Sequence, residues 1–102
     1  MRQVRYSISF VDQLNALLAQ GQAKFGSRLV DEKRDLIFDT IDFYLASYPK
    51  KARDQELDLC SHAITGTPFV VFYEFDDNEL RVFFIAHSRA DRLRIDRTSV
   101  VW

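Results

Sequence analysis

The sequence has little of what cross-links a chain, binds a metal or anchors a protein in a membrane. Its one cysteine, Cys60, cannot form a disulfide within the chain, and no cluster of histidine and cysteine predicts a metal site. No apolar run approaches the ~18 residues of a membrane span. The N-terminus lacks the apolar core of a signal peptide. We therefore expect a reduced, cytoplasmic protein with no metal or cofactor, in which Cys60 is a buried thiol.

The charge of the chain is nearly balanced, at a formal net −1, so nothing in the total demands a nucleic acid or a membrane surface. The basic residues are nevertheless concentrated. Residues 50–53 carry Lys50, Lys51 and Arg53 with no acid, and residues 81–97 carry five arginines against two aspartates. Such segments suit a polyanion or an acidic protein partner.

At 102 residues the chain is long enough for one domain, residues 1–102, with a single modest core. Nine phenylalanines and four tyrosines can fill such a core, because each aromatic side chain buries roughly 150–250 Å².

The most informative stretch lies between residues 68 and 93. Residues 69–75 and 80–87 are apolar, aromatic and β-branched, and the turn formers of residues 76–79 separate them. This pattern predicts a strand, a turn and a second strand. The first run is apolar on both faces except at Glu74 and the Tyr73 hydroxyl, so we expect it to lie centrally in the sheet.

Alternation along residues 80–87 predicts two faces. One face is apolar with polar ends and consists of Arg81, Phe83, Ile85 and His87. The other is apolar throughout, is expected to contact the helices, and consists of Leu80, Val82, Phe84 and Ala86. The first face suits a groove or a partner surface.

The N-terminal half predicts a strand and two helices. Residues 3–9 alternate as a strand does, Ser9 and Asp12 fit a capping pattern, and Gly26 ends the first helix. Ser27 is expected to cap a second helix that Pro49 stops.

The second helix is amphipathic. Its predicted core face carries Val30, Ile37, Ile41, Tyr44 and Tyr48. The opposite face carries Glu32, Asp35, Asp39 and Asp42. These acids are either a solvated helix face or a contact for a basic partner.

After a basic loop, residues 56–64 predict a further strand, the second in chain order. Residues 99–102 are apolar enough to add an edge strand or to dock on a partner. The predicted order is β-α-α-β-β-β. It defines an α+β fold in which a helical hairpin packs on a small, mostly antiparallel sheet.

The segment PFVVFYEFDDNELRVFFIAHSRADR resembles the C-terminal hairpin of the RelE/ParE toxin superfamily. The matching residues are Pro68, Tyr73, Asp77, Leu80, Val82, Ile85, His87, Arg89 and Asp91. The resemblance covers residues 68–92 closely and the element order of residues 4–48 more loosely. It implies the toxin of a type II toxin–antitoxin pair, neutralised by a cognate antitoxin that covers the apolar grooves beside the helical hairpin and the basic sheet face. Any oligomer would form through that antitoxin.

Two branches of this superfamily imply different activities. In a RelE-like, metal-independent mRNA endonuclease acting on the ribosome, His87 would be acid or base and Arg81 would bind phosphate, joined by the other cations. These are Arg89, Arg92, Lys50, Lys51 and Arg53. This chain departs from that pattern, because residues 69–75 contain no basic residue and no tyrosine follows Tyr73.

In the ParE-like branch the toxin poisons DNA gyrase by binding and cleaves nothing itself. The ending formed by His87, Arg89 and Asp91 is more similar to that branch. Arg89 and Arg92 would then pair with carboxylates or phosphates. The other interpretations are a non-toxic binding protein of the same fold, or plain structural roles: His87 at a strand end, and Arg89, Asp91 and Arg92 in a surface ion-pair cluster.

Overall fold

The computed structural model of the chain describes residues 1–49, 53–90 and 95–102. Within them, the elements follow in the order β1 (Gln3–Tyr6), α1 (Ile8–Phe25), α2 (Ser27–Asp39), a π-helical turn (Thr40–Leu45), β2 (Arg53–Asp54), β3 (Leu59–Ala63), β4 (Phe69–Phe75), β5 (Glu79–His87) and a 3₁₀ turn (Arg97–Ser99). The strands form one sheet in the order β1-β5-β4-β3-β2, in which β1 runs parallel to β5 and the other neighbours are antiparallel. The predicted α+β fold is confirmed. No helix in the described part of the chain is long and apolar enough to cross a bilayer.

The prediction that Ser9 caps the first helix is wrong: the helix begins at Ile8, and its cap lies two residues before Ser9. Ser7 is its cap: the Ser7 hydroxyl oxygen accepts a hydrogen bond from the Phe10 amide at 2.8 Å and donates one to the Phe83 carbonyl at 2.6 Å. This fully buried hydroxyl therefore joins the start of α1 to β5. Gly26 ends the helix as predicted, with a φ of 84° that favours glycine.

The prediction that Ser27 caps the second helix is wrong. Ser27 is already helical, and Gly26 occupies the cap position without a side-chain hydrogen bond. One glycine therefore both ends α1 and precedes α2, which keeps the connection of the helical hairpin short.

The π-helical turn changes which side chains of the second helix are buried. Ile37, Ile41 and Leu45 are fully buried at a spacing of four residues, whereas Tyr44 is 43% exposed and Tyr48 is 71% exposed. The prediction that both tyrosines lie on the core face is wrong, because the wider turn inserts one residue and shifts the helical phase.

The predicted strand at residues 56–64 is shorter and is preceded by an additional strand. Asp58 has a φ of 53° in the turn between β2 and β3, and the Asp54 carboxylate accepts the amides of Glu56 and Leu57. This turn chemistry stops the strand short. Part of the predicted basic loop, Arg53–Asp54, becomes β2.

A β-bulge in β5 changes its two faces. Phe72 pairs with Phe84 and Tyr73 pairs with Val82, so Phe83 is an extra residue. Leu80 and Val82 contact the helices as predicted, but the side chains after Phe83 point to the side of the sheet opposite to the predicted one.

As a result, Ile85 faces the helices, whereas Phe83, Phe84 and Ala86 face the opposite, outer side of the sheet. The prediction that Arg81, Phe83, Ile85 and His87 share one face is wrong. Continuing the alternation, Arg81 and His87 point to opposite sides of the sheet.

Two apolar clusters lie on the two sides of the sheet. The helix-side core consists of Phe10, Leu14, Leu18, Val30, Ile37, Ile41, Leu45, Cys60, Ile64, Val71, Tyr73, Leu80, Val82 and Ile85. The outer cluster consists of Leu57, Leu59, Val70, Phe72, Phe83 and Phe84, and the C-terminal residues Ile95, Val100 and Trp102 pack against it. The segment 99–102 therefore adds no edge strand and docks on its own chain. Cys60 is buried, as predicted.

Candidate functional site

β5 carries the two residues that were predicted to be catalytic in a nuclease, one near each end of the strand. Arg81 lies near the start of the strand and His87 at its end. Six residues at about 3.3 Å each place them roughly 20 Å apart. Because they also point to opposite sides of the sheet, they cannot act together on one phosphate.

Arg81 is held by the turn that precedes it. Its guanidinium donates to Asp76 at 3.0 Å and to Glu79 at 3.2 Å, and its side chain is only 26% exposed. The Asn78 amide, the Arg81 guanidinium and the Glu79 amide all donate to the Asp76 carboxylate and lower its pKa to about 2. Arg81 therefore closes the hairpin turn and carries a balanced charge.

Arg53 lies with Arg81 in one cleft of about 400 Å³, which Cys60, Glu74 and Phe75 also line. The Arg53 guanidinium donates to the Asp58 carboxylate and carbonyl at 3.0 and 2.8 Å. Burial raises the pKa of the Cys60 thiol, so little reactive thiolate forms there.

Arg97 belongs to the same network, since it donates to Glu74 and to the Asp58 carbonyl. The cations of this cleft are thus paired with carboxylates, and the arrangement favours a structural ion-pair network over a phosphate site. Nothing in the sequence pattern identified Arg97 or Glu74 as parts of it.

The other end of β5 is open. His87 is exposed, its ring lies edge-on to Phe69 with centroids 6.4 Å apart, and its Nδ1 accepts the Arg89 amide at 3.2 Å. Arg89 is exposed, and its guanidinium makes no ion pair with any residue that the structure describes. The other predicted residues, Asp91, Arg92, Lys50 and Lys51, lie outside the described residues.

Beside His87, a groove runs along α1. A cleft of about 460 Å³ lies between α1 and the end of β5 and is lined by Gln13, Ala16, Leu17, Ile85, Ala86, His87, Ala90 and Ile95. A second, apolar cavity of about 290 Å³ continues from Leu17 toward the tip of the helical hairpin, where Phe25 and Leu29 line it. We call these two cavities together the α1 groove. It lies beside the helical hairpin, where a groove was expected.

Beyond Val82, the edge of β5 that pairs with β1 has no neighbouring strand in the described part of the chain, because β1 pairs only with Glu79–Val82. The Gln13 side-chain oxygen accepts the Ile85 amide at 3.0 Å in place of a neighbouring strand. Sequence periodicity did not indicate a role for Gln13, since a glutamine on a helix is ordinarily a solvated residue.

No protein-family model matches the sequence, and no curated protein matches it. Among solved structures, the chain is similar to one from the "Chromosomal ParDE TA system from P. aeruginosa", with a TM-score of 0.71. The two are 11% identical, and the match covers 85% of this chain and 96% of the other. The likeness shows that this chain shares its fold with that structure, and the fold agrees with the one implied by the sequence resemblance.

Proposed function

We propose that this protein is the toxin of a type II toxin–antitoxin system, that it is ParE-like, and that it inhibits DNA gyrase by binding. The observation that carries the proposal is the fold shared with a chain of the ParDE system over almost that chain's whole length. The resemblance of residues 68–92 to the toxin hairpin supports it independently.

The end of β5 is the target-binding element in this proposal. Arg89 is exposed and has no ion-pair partner among the described residues, so its guanidinium is available for a carboxylate or phosphate of the target. In the sequence, Asp91 and Arg92 follow it closely, and Lys50, Lys51 and Arg53 supply the second basic segment. Binding alone is the favoured mode because Arg81 and His87 do not form a shared site.

The antitoxin would cover the α1 groove. An apolar segment that buries Leu17, Phe25 and Leu29 removes exposed hydrophobic surface from water, which gives the complex its main driving force. An antitoxin segment disordered before binding would become ordered on this surface.

The experiment uses purified full-length protein in two parallel assays. One measures gyrase supercoiling and cleavage-complex formation, and the other measures mRNA cleavage on translating ribosomes. Gyrase inhibition with intact mRNA is the expected result. Cleaved mRNA with unaffected gyrase would replace the proposal by the RelE-like endonuclease, with His87 as the first residue to mutate. A folded sample that neither inhibits gyrase nor cleaves mRNA would favour a non-toxic binding protein.

The variant Arg89→Ala sharpens this assay. Loss of a charge-assisted hydrogen bond costs about 1.5–3 kcal/mol, so gyrase inhibition should weaken about tenfold or more. Arg28→Ala is the matched control, because Arg28 is almost fully exposed on α2, away from the end of β5. Equal inhibition by the two variants would remove Arg89 from the target surface.

The antitoxin site has its own test, which is co-purification with the cognate antitoxin. Leu17→Glu places a charge in the α1 groove and should abolish co-purification. Val11→Glu adds the same charge on an exposed part of the same helix and should leave it intact. Circular dichroism of both variants establishes that they are folded.

A further inference from the structure

A stripe of exposed apolar side chains runs along the second helix, away from β5, and shares only Leu29 with the α1 groove. Its members are Leu29, Leu36, Tyr44 and Tyr48, which are 37%, 37%, 43% and 71% exposed. We call it the α2 stripe. Large hydrophobic side chains aligned on one exposed helix face mark an interaction surface.

The π-helical turn creates this alignment. Leu29 and Leu36 are seven residues apart, which is two turns of an α-helix. Tyr44 follows Leu36 by eight residues, and the extra residue of the π turn returns it to the same side. Tyr48 follows four residues later. From Leu29 to Tyr48 the stripe is roughly 28 Å long at about 1.5 Å per residue, the length of a five-turn helix.

Acidic side chains border the stripe on one side. Glu32 and Asp39 each lie three residues after a leucine of the stripe, and Asp35 lies between them on the same flank. All three are exposed, and Asp35 and Asp39 make no ion pair within the described part of the chain. Of the other two acids of the helix, Asp31 pairs with Arg34 and Asp42 accepts the Tyr6 hydroxyl.

The opposite border of the stripe is formed by the sheet. Lys33 donates to the Gly66 carbonyl in the loop before β4, and the Tyr44 ring lies 5.7 Å from the ring of His62 in β3. Among the described residues, the flank toward the sheet carries the Lys33 ammonium group, which donates to a backbone carbonyl, and the flank away from the sheet carries the carboxylates of Asp35 and Asp39.

We propose that the α2 stripe docks an amphipathic helix of a partner protein, one that carries lysine or arginine along one flank of its apolar face. Such a helix places its apolar residues on Leu29, Leu36 and the tyrosines, and its cations against Asp35 and Asp39. The proposal does not rest on the toxin assignment, because the α2 stripe shares only Leu29 with the α1 groove and uses neither the end of β5 nor its target.

Other occupants fit less well. A nucleic acid or an anionic membrane would place its phosphates against the acidic border. A second copy of this chain docked antiparallel by a two-fold axis would bring the same flanks together, so that Glu32 would face Asp39 of the other copy and repel it. An amphipathic helix with a basic flank can both cover the apolar stripe and pair with the carboxylates that border it.

The test uses the full-length protein and two synthetic 18-residue helical peptides with the same pattern of leucines. All other positions are lysine in one peptide and glutamate in the other. The lysine peptide should bind with at least tenfold higher affinity in fluorescence anisotropy, and this preference should shrink as salt screens the charges. Equal affinities, or a preference for the glutamate peptide, would overturn the proposal.

Variants locate the site. The double variant Asp35→Lys/Asp39→Lys should reverse the preference between the two peptides. Leu36→Ser should lower the affinity for the lysine peptide at least tenfold. Val11→Ser, at an exposed apolar position of α1, should leave that affinity unchanged. Amide shifts on peptide addition should cluster at residues 29–48. Shifts elsewhere, or no effect of Leu36→Ser in a folded sample, would refute the docking site.

Discussion

The two sides of the sheet are covered by very different parts of the chain. The helix side is covered by two helices and a π-helical turn, and its core includes side chains from three strands as well. The outer side is covered by residues 95–102, a segment with one short 3₁₀ turn. Regular helices thus cover one side of the sheet, and a nearly irregular segment covers the other.

The contacts of the C-terminal segment explain how so short a piece stays in place. The Val101 carbonyl accepts the amides of Ile8 and Ser9 at 2.7 and 3.2 Å, two groups at the start of α1 that have no helical partner. The Trp102 ring packs on Phe83 with centroids 4.9 Å apart, and the Arg5 guanidinium lies 4.8 Å from the Trp102 ring. The segment therefore closes the outer cluster and completes α1 at the same time.

The largest expected effect is on the helix side. Ile41 is fully buried in the π-helical turn, so Ile41→Ala should lower the free energy of unfolding by about 2–5 kcal/mol in urea denaturation. Leu36→Ala, a partly exposed residue of the same helix, should cost less than half as much. Similar losses would mean that the core does not extend under the π turn.

A smaller loss is expected on the outer side. Trp102→Ala should lower the free energy of unfolding by about 1–3 kcal/mol, and the Ile8 and Ser9 amides should exchange hydrogen faster. Val101→Ala keeps the backbone contacts and removes a side chain that is 55% exposed, so both readouts should stay near the parent's. If Trp102→Ala lowered the free energy of unfolding as much as Ile41→Ala, the two sides of the sheet would not differ in their contribution to stability.

Ser7 joins the two regions, and its removal should have an intermediate to small effect. Ser7→Ala leaves the Phe10 amide uncapped and the Phe83 carbonyl without its donor, at a cost of about 0.5–2 kcal/mol. Ser88→Ala, at an exposed serine after β5, is the control and should change thermal stability little. Equal thermal midpoints for the two variants would show that the cap does not couple α1 to the sheet.

The smallest effect is a pH dependence at the hairpin turn. The pKa of Asp76 is lowered from 3.8 to about 2 in the folded protein. Its stabilisation is therefore complete above pH ~4 and is lost as the pH falls toward 2. Asp76→Asn should make the thermal midpoint less dependent on pH over that range, while Asp77→Asn in the same turn should leave the pH dependence unchanged. An unchanged pH profile for Asp76→Asn would exclude this role.

Periodicity and turn chemistry predicted the local elements well. The hairpin of β4 and β5, the turn between them and the end of α1 at Gly26 all lie where they were expected, because each depends on neighbouring residues. The candidate site was predicted less well. An alternation of apolar residues does not reveal a bulge, so the separation of Arg81 from His87 was missed.

The sequence by itself determined the α+β class, the helical hairpin and the apolar strand pair, since burial of apolar periodic faces is a local requirement. Only the tertiary structure decided which residues remain exposed. The π turn moves Tyr44 and Tyr48 out of the core, the bulge turns over the end of β5, and residues 95–102 close the outer face. These outcomes depend on contacts between segments far apart in the chain, and hydrophobic patterning within one segment does not encode them.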